Sequence, residues 1–398
     1  MVVLITSAMS TLSLPSGPFY LGDTQHDRMN RLLQVLQSDE EIKAIKKLTG
    51  ADAQTFIDWA QELLEVEGSF LRSSECDIYE KACKLLDALC RTTQKLPIGL
   101  FVTEKASTYT KEGFAGAHST IFSCERHEGL PDFHGTVILK LLRFPDNNEN
   151  YKKLCREALA WRRLGHPRIL EFLGIDNKTF DELHICLLSP FLKNGTIMDY
   201  REKMGASNIS LDIRIAEIAD GVNYIHSQLL VHGDLHPGNI LIDNDGRVKI
   251  ADFGLSAFVN ATTTESTGSR RTPDGIITYM APELLGFKMV DDTAKLRKKS
   301  EKTDIFALAS VCYTLYRGHH PLHKYTDGAI VRKLYSQPGQ DGTTPNPWLG
   351  LSQPADPTDA ATRSIAMPDS LWVLVRDAWG ISLKRPTAAE FLRRLGAI

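Results

Sequence analysis

The stretch Val231-His232-Gly233-Asp234-Leu235-His236-Pro237-Gly238-Asn239-Ile240-Leu241, followed by Asp252-Phe253-Gly254, decides how the rest of the chain is read. An apolar run enters a turn built from Gly, Pro and Asn and leaves as a strand-turn-strand over Asn239–Ile250. A single loop thus carries a carboxylate at 234 and an amide at 239, and a second carboxylate stands at 252. Each acid alone reads as the cap of a turn. Their combination with other polar residues in fixed order does not.

Outward from this stretch, Val137-Ile138-Leu139-Lys140 ends a β-branched strand and Glu157 lies on the helix that follows, ahead of Gly165-His166-Pro167. Downstream come Ala281-Pro282-Glu283, Asp304-Ile305-Phe306 and Lys384-Arg385-Pro386. In this order the segments resemble the protein kinase family, closest to its tyrosine-kinase-like branch in a form met in mushroom-type fungi. The resemblance covers residues 105–398.

It implies an α+β, two-lobed fold: a small β-rich lobe with one helix (105–192), a larger helical lobe (193–398), and an all-helical N-terminal extension (26–95) behind a flexible leader (1–25). It also implies ATP and Mg²⁺ as cofactors, and transfer of the γ-phosphate to Ser/Thr, less readily Tyr, hydroxyls of a protein substrate. Lys140 would hold the α/β-phosphates and Glu157 would lock Lys140 in place. Asn239 and Asp252 would hold the metal, which wants oxygen ligands. Asp234 would orient the attacking hydroxyl and accept its proton. Pro190 and Leu192 would meet the adenine edge through a carbonyl and an N–H, with small Ser189 behind them. Ile121, Ile138 and Leu241 would sandwich the ring, Gly116 would line the phosphate loop, and Trp161, Phe172, Phe253 and His232 would stack as a spine. Glu283 and Arg385 would pair.

Five departures from the family pattern bear on activity. The phosphate-loop glycine positions read Phe114, Gly116 and Ser119, so one glycine of three survives. Ile138 stands where Ala is usual. His236 replaces a Lys that touches the γ-phosphate, and imidazole is only partly charged near neutrality; restoring Lys is expected to raise turnover if that contact limits. Ile276 replaces a Thr. Gly233 replaces the Arg that reads an activation-loop phosphate, so activity is expected not to depend on phosphorylation of the hydroxyl-rich loop Thr262–Thr272. Two other classes stay open on these residues. One is a pseudokinase that binds partners. The other is a small-molecule phosphotransferase, whose catalytic loops have a similar His-Gly-Asp-Leu-His-Pro-Gly-Asn string.

The 398 residues carry 46 Lys+Arg against 49 Asp+Glu, a net charge of −3, with 42% hydrophobic and 24% charged residues. This is globular composition, long enough for two or three folding units. The balance lacks the basic excess of a nucleic-acid binder. No apolar run reaches 18 residues and no signal peptide or lipidation box is visible, so membrane attachment is not expected and cytosolic or nuclear residence is. Cys76, Cys83 and Cys90 are spaced by seven, which puts them near one helix face, steps of about 10 Å apart and too far for one metal. A buried face of small apolar residues is the expectation. His319, His320 and His323 lack neighbouring carboxylates or thiols and read as a loop or helix cap, and the basic run Lys295–Lys302 as a solvated loop. Three short helices are expected over 27–93, the first capped by Ser38 and closed by Gly50. They form either a partner-docking module or padding for the smaller lobe. Strands are expected at Ile169–Leu173 and Leu183–Leu188.

Overall fold

The computed structural model describes residues 24–74, 76–116, 119–142, 148–180, 184–254, 256–258, 276–286, 298–335, 346–355 and 364–396. The hydroxyl-rich loop, Ile276's side chain and residues 295–297 of the basic run lie outside what is described. The chain divides into two compact units. One comprises the residues up to Arg163 together with Phe172–Ser189, and the other comprises Leu164–Glu171 and Pro190 onward.

The first unit opens with α1 (Gln25–Gln37), α2 (Asp39–Ile45), α3 (Gly50–Ser74) and α4 (Cys76–Thr93). These are four helices rather than three short ones, and α3 runs to 25 residues. Ser38 does cap a helix, accepting from the Glu41 N–H. Gly50, however, opens α3 with φ +58 instead of closing α2. The left-handed residue that a stop signal calls for is present, but the next helix starts on it. Leu32, Val35, Phe56, Trp59, Leu63, Leu86 and Leu89 recur at helical spacing and are buried between the four helices.

A five-stranded sheet follows, in the order β1-β2-β3-β5-β4. Its strands are β1 (Thr110–Gly116), β2 (Ser119–Cys124), β3 (Val137–Leu142), β4 (Gly174–Asp176) and β5 (Ile185–Pro190). A single helix, α5 (Asn148–Arg162), lies between β3 and β4 in sequence. β3 alternates: Val137, Leu139 and Leu141 join a buried cluster with Val102, Cys124, Cys186 and Leu188, so Ile138 and Lys140 project to the opposite face. That alternation presents Lys140. The expected strand at Ile169–Leu173 does not form; Ile169 makes only an isolated bridge to Ile250, and the strand pairing begins at Gly174.

The second unit is helical, with α6 (Ile197–Met204), α7 (Leu211–Ser227), α8 (Glu301–Arg317), α9 (Asp327–Tyr335), α10 (Asp369–Ala378) and α11 (Ala388–Leu395). Two short ribbons interrupt it: β6 (Leu230–Val231) with β9 (Ala257–Phe258), and β7 (Ile240–Ile242) with β8 (Val248–Ile250). Residues Thr303–Tyr316 of α8 are all buried, the mark of a helix enclosed on every side. The β7–β8 ribbon is the expected strand-turn-strand, and it fixes the loop that precedes it.

The first unit also carries a buried pair, His127 Nε2 to Asp176 Oδ2 at 3.1 Å. The Gly129 N–H donates to His127 Nδ1, which leaves the ring's proton on Nε2 facing the carboxylate.

Candidate active site

In the first unit, Lys140 Nζ lies 2.8 Å from Glu157 Oε1, an ion pair between β3 and α5. Glu157 is almost fully buried, which a carboxylate tolerates only with a partner. Ile121 faces Lys140 across the β2–β3 ladder and Ile138 lies two residues earlier on the same face. Gly116 ends β1 opposite Ser119, and a register shift between Lys111 and Ala115 breaks that strand pair. The side chains of 113–119 lie outside the described residues. Trp161 and Phe172 stack at 5.3 Å between ring centroids.

In the second unit, the loop from Val231 to Asn239 hangs on one buried carboxylate. Asp304 Oδ2 accepts from the His232 N–H and Oδ1 from the Gly233 N–H, each at 2.8 Å. His226 Nε2 lies 2.9 Å from Oδ2. Burial alone would raise Asp304, but the hydrogen bonds from His226 and the backbone hold it below the usual carboxylate range. Presenting two successive N–H groups to one carboxylate puts Gly233 at φ +73. A side chain there costs roughly 1–2 kcal/mol, so glycine at this position releases strain as well as removing the family's Arg.

The loop then orders itself. His232 is fully buried, its Nε2 3.0 Å from the Ala251 carbonyl and its Nδ1 accepting from the Asp234 N–H at 3.2 Å. It packs on Phe253 at 5.3 Å. Asn239 Nδ2 donates to the Asp234 main-chain carbonyl at 2.8 Å, which ties positions 234 and 239 together and leaves Asn239 Oδ1 as an acceptor. Asp252 adopts φ +64, a left-handed conformation that Asp tolerates better than most residues.

His236 has a role that the sequence did not reveal. Its Nδ1 accepts from the Gly238 N–H at 3.1 Å and caps the short 3₁₀ turn Pro237–Asn239. The neutral ring therefore carries its proton on Nε2, 3.9 Å from Asp234 Oδ2. Burial lowers the imidazole's basicity, against the pull of Asp234, so the contact is a ring dipole facing a carboxylate and not an ion pair. A Cβ on Gly238 would sit 2.8 Å from the His236 ring, so glycine is what lets the ring close over the turn.

Pro190 and Leu192 follow Ser189, which is buried at the end of β5; Leu241 lies in β7, half-buried. Glu283 and Arg385 form the expected pair, bidentate at 2.5 and 3.0 Å and fully buried.

A family model described as "Protein kinase domain" matches residues 115–357, more than half of the chain. The chain belongs to the protein kinase family. Human receptor-interacting serine/threonine-protein kinase 1 is 31% identical over 198 residues, covering 47% of this chain and 28% of that protein. Serine/threonine-protein kinase STY46 of Arabidopsis thaliana is 29% identical, covering 48% and 31%. Serine/threonine-protein kinase PrkC of Bacillus subtilis is 29% identical, covering 50% and 28%. The chain thus spans about three tenths of the length of these curated relatives. They support the tyrosine-kinase-like affinity of this kinase domain. Arg385 lies beyond the matched stretch, yet it bonds Glu283 within it. Among the described residues no helix is long and apolar enough to cross a membrane, and no cluster of three metal-ligating side chains forms. That includes His319, His320 and His323, where the first and last rings stack at 3.4 Å.

The buried Asp304 also sets an acid limit. Its folded-state acidity is stronger than that of an unfolded Asp near 3.9, so its stabilisation is complete above that pH and is lost as pH falls through the lower folded value. Thermal midpoints measured from pH 7 down to 3 are expected to fall steeply below about pH 4, and Asp304→Asn to flatten that slope.

Proposed function

We propose that the chain is an ATP- and Mg²⁺-dependent protein kinase that phosphorylates Ser/Thr, and less readily Tyr, hydroxyls of protein substrates. The observation that carries this reading is the formed Lys140–Glu157 pair, because it orders the one cation assigned to the nucleotide phosphates. Phosphoryl transfer asks the protein mainly for charge neutralisation and positioning. Lys140 supplies a fixed positive charge. Asp234 orients the acceptor hydroxyl and takes its proton, held in register with Asn239 by their 2.8 Å bond.

Asn239 Oδ1 and the Asp252 carboxylate are the hard oxygen donors that suit Mg²⁺. When bound, the ion neutralises charge on the β- and γ-phosphate oxygens. Ile121, Ile138 and Leu241 are assigned to the faces of adenine, Pro190 and Leu192 to its edge, and Gly116 to the phosphates. The buried Glu283–Arg385 pair supports the protein-kinase reading over a small-molecule phosphotransferase, since both residues belong to the protein-kinase pattern.

His236 serves as a cap and a neutral hydrogen-bond donor in this scheme, in place of a cation on the γ-phosphate. Lysine cannot accept the Gly238 N–H. His236→Lys is therefore expected to lower kcat about fivefold or more, the equivalent of one lost cap of roughly 1 kcal/mol, by loosening the turn that carries Asn239. Steady-state kinetics at saturating ATP check this; a rise in kcat would return the γ-phosphate contact to first place. The activity itself is tested by measuring Mg²⁺·ATP binding and γ-phosphate transfer to a generic protein acceptor.

A further inference from the structure

Cys90 of α4 lies on its seam with α5, and Cys83, one heptad earlier, is buried as well; the side chain of Cys76 lies outside the described residues. The Cys155 Sγ of α5 points at the Cys90 carbonyl at 3.7 Å. Just past the C-terminal end of α5, the half-buried Arg163 lies within electrostatic reach of Cys83, Tyr79 and Asp87 of α4. The order is antiparallel, and the spans agree: the seven residues from Cys83 to Cys90 and the eight from Cys155 to Arg163 rise about 10 and 12 Å. Small thiols at the seam let the backbones approach closely.

A second tie comes from α3. Glu65 takes Arg162 of α5 in a bidentate bond at 2.7 and 3.1 Å. Along α5, Leu154, Cys155, Glu157, Ala158, Leu159, Ala160 and Trp161 are all buried, so the helix is covered beyond a single face. Glu157, in the middle of this run, is the residue that orders Lys140.

We propose that α3 and α4 clamp α5 in the place that pairs Glu157 with Lys140, which makes Glu65 and Cys90 positioning residues for phosphoryl transfer. This assigns the N-terminal helices a task inside their own unit, and it rests on the reading of Lys140 as the phosphate-holding side chain. Because Glu65 and Arg162 lie at the edge of the contact, partly open to solvent, they can be altered without emptying the core. Cys90 lies at its centre.

The test uses the full chain with Arg162→Glu, Glu65→Arg, the double exchange, and Cys90→Trp, which wedges the seam. The first readout needs no nucleotide: the rate at which a small amine-reactive ester acylates Lys140, followed by peptide mass. The second is kcat and KM for ATP. Each single charge reversal is expected to raise Lys140 acylation and lower kcat/KM about two- to fivefold, the double exchange to return both to near the wild-type values, and Cys90→Trp to act more strongly. Folded variants, even with lowered thermal midpoints, whose Lys140 is acylated at the wild-type rate would overturn the clamp and leave the activity reading standing. The acylation pattern without turnover in any variant, wild type included, would uphold the clamp and sink the activity reading.

Discussion

Asp234→Asn is expected to lower kcat by about 10²–10⁴-fold while ATP affinity stays within about twofold. The side chain is isosteric. The loop's shorter bonds run through the Asp234 main chain, whose N–H meets His232 and whose carbonyl meets Asn239, while the carboxylate makes only a long contact of 3.5 Å with Asn239 Nδ2 and lies 3.9 Å from His236 Nε2. The substitution therefore removes a proton acceptor without unfolding the loop. No step of nucleotide binding is assigned to Asp234, so the loss belongs in kcat and not in the KM for ATP. Steady-state kinetics beside a direct nucleotide-binding measurement separate the two. A loss under tenfold would move the proton-accepting role elsewhere.

The largest expected effect on stability is at Arg385. Its guanidinium is enclosed and almost fully satisfied: two bonds to Glu283, one to the Gly380 carbonyl at 3.0 Å and one to the Lys302 carbonyl at 3.1 Å. It also lies over the Phe306 ring at 5.0 Å. Arg385→Ala strands the Glu283 carboxylate in the interior, and breaking such a pair costs about 3–5 kcal/mol. For a unit of this size that is a drop in thermal midpoint on the order of 10 °C. Arg385→Lys keeps the charge but loses the fork, so it is expected to recover only part of the loss. Differential scanning calorimetry reads both. A midpoint within about 2 °C of wild type for Arg385→Ala would show that the pair adds nothing to stability.

The parts that the sequence revealed share one property: their partners are close in the chain or fixed by a pattern. The Val231–Leu241 loop, the β7–β8 ribbon and the strand that carries Lys140 were readable from residue types in order, and the Glu283–Arg385 pairing from the family resemblance. The His236 cap is local too, spanning two residues, but histidine is not among the usual N-cap residues, so the sequence shows only a replacement of Lys. What stayed hidden was contact at long separation. Glu65 meets Arg162 across 97 residues and His226 meets Asp304 across 78, with no periodicity to announce either. The seven-residue cysteine spacing announced a buried face at Cys83 and Cys90, though not that α5 meets it at Cys90. Helix ends differ where Gly50 serves as the start of α3 and not as a stop, and no strand forms at 169–173 because its buried apolar residues make only an isolated bridge, Ile169 to Ile250, and scattered backbone bonds.

The proposed phosphate transfer rests on five residues: Lys140, Glu157, Asp234, Asn239 and Asp252. The most direct test incubates the wild-type chain and Asp252→Asn with Mg²⁺ and ATP labelled in its γ-phosphate, in the presence of a generic protein acceptor. The account predicts acid-stable label on Ser or Thr with the wild type, lost on chelation of the metal and lost with Asp252→Asn. Label that survives in Asp252→Asn, or a wild type that transfers none, would contradict it.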